Sequence, residues 1–251
     1  IWDIVGKTAN LPLHRLFGAC RTKIKTYASG GLWLSQSIDS LLKDAQNFLD
    51  EGFRSMKIRV GSTNWKNDVE RVKEVRNAIG PDIELMADIN QVLEPKQAIQ
   101  LGKKLEEYDL LWLEEPVASN NREGHAEVRS ALATPIASGE NEYSLSGMHE
   151  MIEAKACDIL MPDLQRIGGI SEMRKVANLA ESYNLPISTH IFTEHSLSVA
   201  GSVTNCLSVE HMPWFSKLFN EQIDVINGYI DIPERPGTGF TFNESYIKLI
   251  N

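Results

Sequence analysis

Three carboxylates, Asp88, Glu114 and Glu140, follow one another at intervals of 26 residues. Each sits at the end of a short apolar run, and the interval is about one strand-plus-helix unit. The spacing therefore predicts that all three reach one height on neighbouring strands. A lone Asp or Glu at such a place can merely cap the helix that follows. Three in register are costly to bury together unless a cation compensates them. Oxygen donors without His or Cys suit a hard ion, Mg²⁺ first and Mn²⁺ second. Two further strand ends carry Asp163 and His190. A carboxylate beside an imidazole fixes its tautomer and raises its basicity, which makes a general base near neutral pH. The other five histidines, His14, His125, His149, His195 and His211, show no comparable partner; His195 and His211 are expected beside the site. Lys57 and Arg59 close another run, Asn90 follows Asp88, Glu115 follows Glu114, and Glu210 closes the last run.

The elements that must position these side chains are legible as a repeat. Apolar, β-branched runs predict strands at 25–29, 55–60, 84–89, 110–115, 136–140, 158–163, 186–190 and 207–210. Helical periodicity fills the gaps, for instance 67–79 (Val69, Val72, Val75 and Ile79 apolar), 95–107 and 170–183. Eight strands alternating with helices predict a TIM-type barrel, whose polar strand ends converge on the C-terminal face. No helical pattern follows Glu210, so the expected form is (β/α)7β. An open doubly wound sheet is the alternative, but Ser29-Gly30-Gly31 is too short for its phosphate-binding turn. The chain divides into an expected connecting helix and linker at 1–24, the barrel at 25–232, and a Pro/Gly-rich C-terminal tail at 233–251.

Composition narrows the partners. A net charge of −9 with no basic cluster argues against nucleic acid and anionic membranes. No apolar run reaches 18 residues, so no membrane span is expected. Three scattered cysteines, Cys20, Cys157 and Cys206, read as buried thiols in a reducing cytoplasm. The first residues, Ile1 to Ala9, have helical spacing and no signal-peptide pattern. They read as the helix that would follow a domain lost upstream.

Taken in order, Lys57-Ile58-Arg59, Ala87-Asp88-Ile89-Asn90, Leu113-Glu114-Glu115-Pro116, Ala137-Ser138-Gly139-Glu140, Pro162-Asp163 with Gln165-Arg166-Ile167-Gly168-Gly169, Thr189-His190 and Ser208-Val209-Glu210 resemble the motif series of the mandelate racemase subgroup of the enolase superfamily. Met212-Pro213-Trp214-Phe215 and Gln165-Arg166 are similar to acid-sugar dehydratases of the galactarate/talarate type. The resemblance implies that Asp88, Glu114 and Glu140 ligate Mg²⁺, with Mn²⁺ possible. It makes His190, oriented by Asp163, the base, and a protonated Glu210 the partner of the enolate oxygen. Lys57 would lie near the substrate carboxylate, and Asn90 and Arg59 would contact substrate. The racemase pattern has Lys where this chain has Arg59, and Arg is effectively always protonated. One competent base suits dehydration of an acid sugar to a 2-keto-3-deoxy acid. The alternatives are a racemase or epimerase of a 2-hydroxy acid, or a catalytically incomplete metal-binding barrel. The family's N-terminal α+β capping domain is expected upstream or on another chain, and a homo-oligomer is expected.

Overall fold

The computed structural model describes residues 1–247. Eight parallel strands close on themselves: β1 (Lys23–Ala28), β2 (Ser55–Arg59), β3 (Glu84–Asp88), β4 (Leu110–Glu114), β5 (Ile136–Ser138), β6 (Ile159–Leu160), β7 (Ile187–Thr189) and β8 (Cys206–His211). Each pairs with the next, and β1 pairs with both β8 and β2, which closes the barrel. Helices α1 (Trp2–Ala9) and α2 (Leu13–Leu16) precede the barrel, and seven helices connect the eight strands: α3 (Ile38–Asp50), α4 (Trp65–Ile79), α5 (Pro95–Leu105), α6 (Arg122–Ala131), α7 (Ser144–Glu153), α8 (Ile170–Ser182) and α9 (Thr193–Ala200). After β8 the one helical element among the described residues is a short 3₁₀ turn at Ser216–Leu218, in keeping with the (β/α)7β expectation.

The helices form where the sequence gives them an apolar face and a start signal. In α4 the Asn64 side chain caps the first turn, and Val72, Val75 and Ile79 are buried against the sheet. Each such side chain stabilises the fold by about 1.5–3 kcal/mol. α5 opens with Pro95 in its first turn and a reciprocal Glu94–Gln97 capping box. The apolar residues fall into two groups. A large one lies between sheet and helices, and a small one, Tyr27, Met86, Trp112, Ala137, Ile159 and Met161, is separate from it. The small group alternates with helix-facing residues along the strands, which places it in the barrel interior as a floor beneath the C-terminal ends.

Three features depart from the sequence reading. A ninth strand, β9 (Tyr229–Asp231), pairs antiparallel with β1, and its three residues were too short to stand out as a run. The later strands stop earlier than their apolar runs, so Glu140, Asp163 and His190 lie just beyond strand ends. Cys20 is exposed, not buried, because it lies in the loop before β1. The N-terminal helix α1 (Trp2–Ala9) packs on the tail: a Cβ on Gly6 would stand 2.7 Å from the Gly237 Cα, so only glycine fits there. Asp3 accepts from the Thr238 amide at 3.0 Å across the same contact. Tail residues 248–251 lie outside the described residues. No helix among the described residues is long and apolar enough to cross a membrane.

The cysteines supply a test of this packing. Burial pushes the Cys157 and Cys206 thiols up to about 12, which leaves them neither ionised nor accessible. In the native chain at pH 8, iodoacetamide should alkylate Cys20 alone, with the other two reacting only after unfolding in guanidinium. Rapid native labelling of either buried thiol, read by mass spectrometry, would contradict the packing.

Candidate active site

The strand register sets the heights of the charged groups. Arg59 pairs with Asp88, and Asp88 with Glu114, so these three are level. Glu114 pairs with Ala137, however, which leaves Glu140 three residues further along and beyond the end of β5. Equal spacing in sequence therefore placed two acids level but not the third. The chain reaches Glu140 through Gly139, whose φ of 128° is a conformation that L side chains rarely adopt. Lys57 lies two residues below Arg59 and pairs with Met86.

Lys57 is the centre of the cluster. Its side chain is 1% exposed, and its ammonium donates to Glu114 Oε1 while lying 3.2 Å from Asp88 Oδ2 and 3.0 Å from Glu210 Oε1. Burial opposes its charge, but Glu114, Glu210 and Asp88 together hold its pKa well above the ordinary lysine value. Glu114 shows the opposite imbalance. Burial, together with Asp88, Glu210 and Glu140, pushes it up to about 8 despite the ammonium. From the floor, the Trp112 indole donates to Glu114 Oε2 at 2.9 Å, and the Tyr27 ring meets Trp112 edge-on at 5.3 Å. Among the described residues no three His, Cys, Asp or Glu side chains stand grouped as a metal site in this arrangement; the acids gather round Lys57.

Asp163 and His190 come together across neighbouring strand ends, joined by an isolated parallel bridge. His190 Nδ1 lies 2.7 Å from Asp163 Oδ2, and its Nε2 lies 3.2 Å from Glu140 Oε2 and 4.0 Å from Glu210 Oε2. Burial disfavours the imidazolium, but Asp163, Glu140 and Glu210 outweigh it and raise the His190 pKa. Asp163 is itself fixed by the amides of Gln165 and Arg166 at 2.8 and 2.9 Å. Burial works against its charge; His190 and the Arg166 amide prevail and lower its pKa. The Arg166 guanidinium reaches back to the Glu140 carbonyl at 2.7 Å.

In Glu210 burial favours the protonated acid, but Lys57, His190, Ser29 and the Ile191 amide outweigh it and lower the pKa to about 2. The Ile191 amide donates to Glu210 at 2.8 Å from a left-handed backbone. Arg59 is held on three sides: Nη2 donates to Ser29 at 3.1 Å, Nε lies 3.4 Å from Asp88, and the guanidinium lies 5.0 Å from the centre of the Trp33 ring. Its Nη1 is buried without a protein partner. Asn90 is exposed, and its amide and side chain both donate to Asp88, at 2.8 and 3.3 Å.

Sequence reasoning missed Trp112, Arg166 and Ser29 as participants. Trp112 was discoverable, because it lies two residues before Glu114 and so on the same face of β4. Two remaining histidines have acidic neighbours after all, His14 with Glu234 at 3.6 Å and His149 with Glu153 at 3.8 Å, but neither lies at a strand end. His195 lines a separate cavity of about 670 Å³ beside α1, with Trp2, Ser171 and Phe240, away from the acids.

Residues 40–246 match the family model described as enolase C-terminal domain-like. The L-talarate/galactarate dehydratase of Salmonella typhimurium is 36% identical over 97% of this chain and 61% of its own length. The arabinonate dehydratase of Saccharolobus solfataricus is 29% identical over 99% of this chain and 69% of its own length. Among solved structures, the L-talarate dehydratase from Polaromonas sp. JS666, complexed with Mg and L-glucarate, superposes with a TM-score of 0.93 at 35% identity, over 96% of this chain and 68% of that one. A racemase from Streptomyces coelicolor with bound magnesium gives 0.94 at 32% identity, over 97% and 68%. The chain thus spans about 61% of the length of the Salmonella relative. With its closed barrel and its acids, lysine and His–Asp pair at the strand ends, this chain belongs to the enolase C-terminal domain-like family.

Proposed function

We propose that the chain removes the proton α to the carboxylate of an acid sugar and expels water from the adjacent carbon, giving a 2-keto-3-deoxy acid. The observation that carries this reading is the Asp163–His190 pair facing the ring of acids around Lys57. Relatives named as dehydratases of talarate/galactarate, arabinonate and xylonate support it. The three free cysteines suit a cytoplasmic setting.

Asp88, Glu114 and Glu140 would hold one Mg²⁺. The donor set fits, since it offers only oxygen, and Glu114, pushed up to about 8 by burial and then by its acidic neighbours, gains from a nearby cation. When bound, the ion supplies Lewis-acid stabilisation to a substrate carboxylate. The remaining steps belong to protein groups. Asp163 accepts from Nδ1–H of His190, which leaves Nε2 to take the α-proton. The C–H electron pair moves towards the carboxyl group, whose oxygens gain negative charge near the fixed positive charges of Lys57 and Arg59. That pair then forms the bond between the α- and β-carbons, the β C–O bond breaks, and the hydroxide leaves as water with the proton from His190. The enol product then gives up its hydroxyl proton as the β-carbon takes one up, and becomes the keto acid. Glu210 holds Lys57 and the Ile191 amide in place, and Asn90 is offered to substrate hydroxyls.

A second reading, racemisation, is favoured by relatives named as an epimerase and a racemase. It requires a base on each face of the α-carbon. Arg59 is permanently protonated and buried against Asp88 and Ser29, which makes it an anchor for substrate and a poor proton acceptor.

Three outcomes are expected. Mg²⁺ at a hundredfold excess over its dissociation constant should stabilise the chain by about 2.7 kcal/mol, read as a higher Tm than in EDTA. Identical melting in the two conditions would remove the metal assignment. His190→Asn should lower exchange of the α-proton in D₂O by about 10²–10⁴-fold or more, while Mg²⁺ uptake persists. Exchange at the parent rate would require a different base. Deuterium should enter from one face only, so chiral analysis of recovered substrate should show no inversion; inversion at a rate matching water loss would favour the racemase reading.

A further inference from the structure

Glu115 is a buried carboxylate that the chemistry above leaves unused. It follows Glu114 directly, yet its backbone turns into the left-handed region, with φ at 41°. Its side chain ends on two amides. Gln91 Nε2 donates to Oε2 at 2.6 Å, and Asn141 Nδ2 lies 3.0 and 3.2 Å from the two oxygens. The main chain adds to this: the Gln91 amide donates to the Glu115 carbonyl at 2.8 Å, and the Glu115 amide to Ala137 at 3.0 Å. Gln91 lies three residues past Asp88, and Asn141 directly follows Glu140. One carboxylate thus joins the loops that leave β3, β4 and β5, the three strands that carry Asp88, Glu114 and Glu140.

We propose that Glu115 is a positioning residue whose side chain, by tying Gln91 to Asn141, sets the separation of the three acids and so the size of ion they accept. The proposal rests on the reading of those acids as the Mg²⁺ ligands. A carboxylate suits the position because both partners present N–H donors and it accepts at both of its oxygens. An amide at the same place could keep the contacts made to Oε2, at 2.6 and 3.0 Å, but would set its own NH₂ against Asn141 Nδ2, 3.2 Å from Oε1, and so loosen the Asn141 loop. Asn141 Nδ2 also lies 3.3 Å from Glu140 Oε1, so any movement of this tie reaches a ligand directly. On the other side, Gln91 Oε1 accepts from the Ser119 amide at 2.8 Å, which anchors the tie to the β4–α6 loop. Glu140 needs such an anchor most, since it stands beyond the last residue of β5 and no strand pairing fixes its height.

Outer partners of this kind typically change metal affinity by 10–100-fold. Mg²⁺ demands a near-ideal small octahedron, whereas Ca²⁺ accepts a larger and looser one. The test compares Mg²⁺ and Ca²⁺ affinities of the whole chain by titration calorimetry, for the parent, Glu115→Gln and Gln91→Ala. Glu115→Gln should weaken Mg²⁺ by about 10–100-fold while Ca²⁺ weakens distinctly less, and Gln91→Ala should move the ratio in the same direction by a smaller factor. If Glu115→Gln does not fold, Gln91→Ala decides alone. Unchanged affinities, or equal losses for both ions, would overturn the proposal and leave Glu115 a packing residue. A parent chain that takes up neither ion would instead remove the metal reading itself, and this proposal with it.

Discussion

An ammonium sealed among acids organises this end of the molecule. Lys57 is effectively without solvent, and so are Asp88, Glu114 and Glu210 around it. Taking such groups out of water costs several kcal/mol per charge, which their mutual attraction returns only when the geometry is good. Every neighbouring element serves that geometry. The barrel supplies equal strand heights, the aromatic floor supplies a dry base and an indole donor, and the Ile191 amide satisfies the far side of Glu210. Burial first, and then the acids Asp88, Glu210 and Glu140, hold Glu114 so far above its ordinary value.

Part of the backbone strain lies at the same end. Asn90, Gln91, Glu115, Ile191 and Phe192 all adopt positive φ although none is glycine. Left-handed conformations of this kind cost of order 1 kcal/mol or more and persist only where surrounding contacts over-determine them. Here the contacts are visible. Asn90 is held by Asp88, Gln91 by Glu115, Ile191 by Glu210, and Phe192 by a stacked Phe215 ring at 4.6 Å. Each of these five residues lies within three positions of an acid or imidazole of the cluster, so these loops are bent to serve side-chain placement.

Much of this was legible in the sequence because a parallel barrel converts strand order into spatial order. The ends of β2, β3, β4 and β8 fell within one residue of where the apolar runs predicted, and Asp163 meets His190 because adjacent strands bring adjacent run-ends together. Interval counting failed at Glu140, since the pairing of Glu114 with Ala137 depends on how early the β5 run yields to Gly139. Interval counting was equally silent on the surroundings of Glu210, because the distance of 3.0 Å to the Lys57 ammonium depends on which strand faces which across the barrel. Cross-loop ties such as Gln91–Glu115–Asn141 have no periodic signal, because they depend on turn geometry at three separate places.

The Trp112 indole has an optical consequence. It is fully buried, bonded through its nitrogen to Glu114, and edge-on to Tyr27. An indole emits according to the field along its ring, and a carboxylate at its N–H is a strong local field. The floor of the barrel therefore contains a fluorophore wired to the most perturbed acid of the cluster. Any event that changes the charge or position of Glu114 is written into the emission of a residue that no solvent reaches, so the chain carries its own reporter of what arrives at its open end.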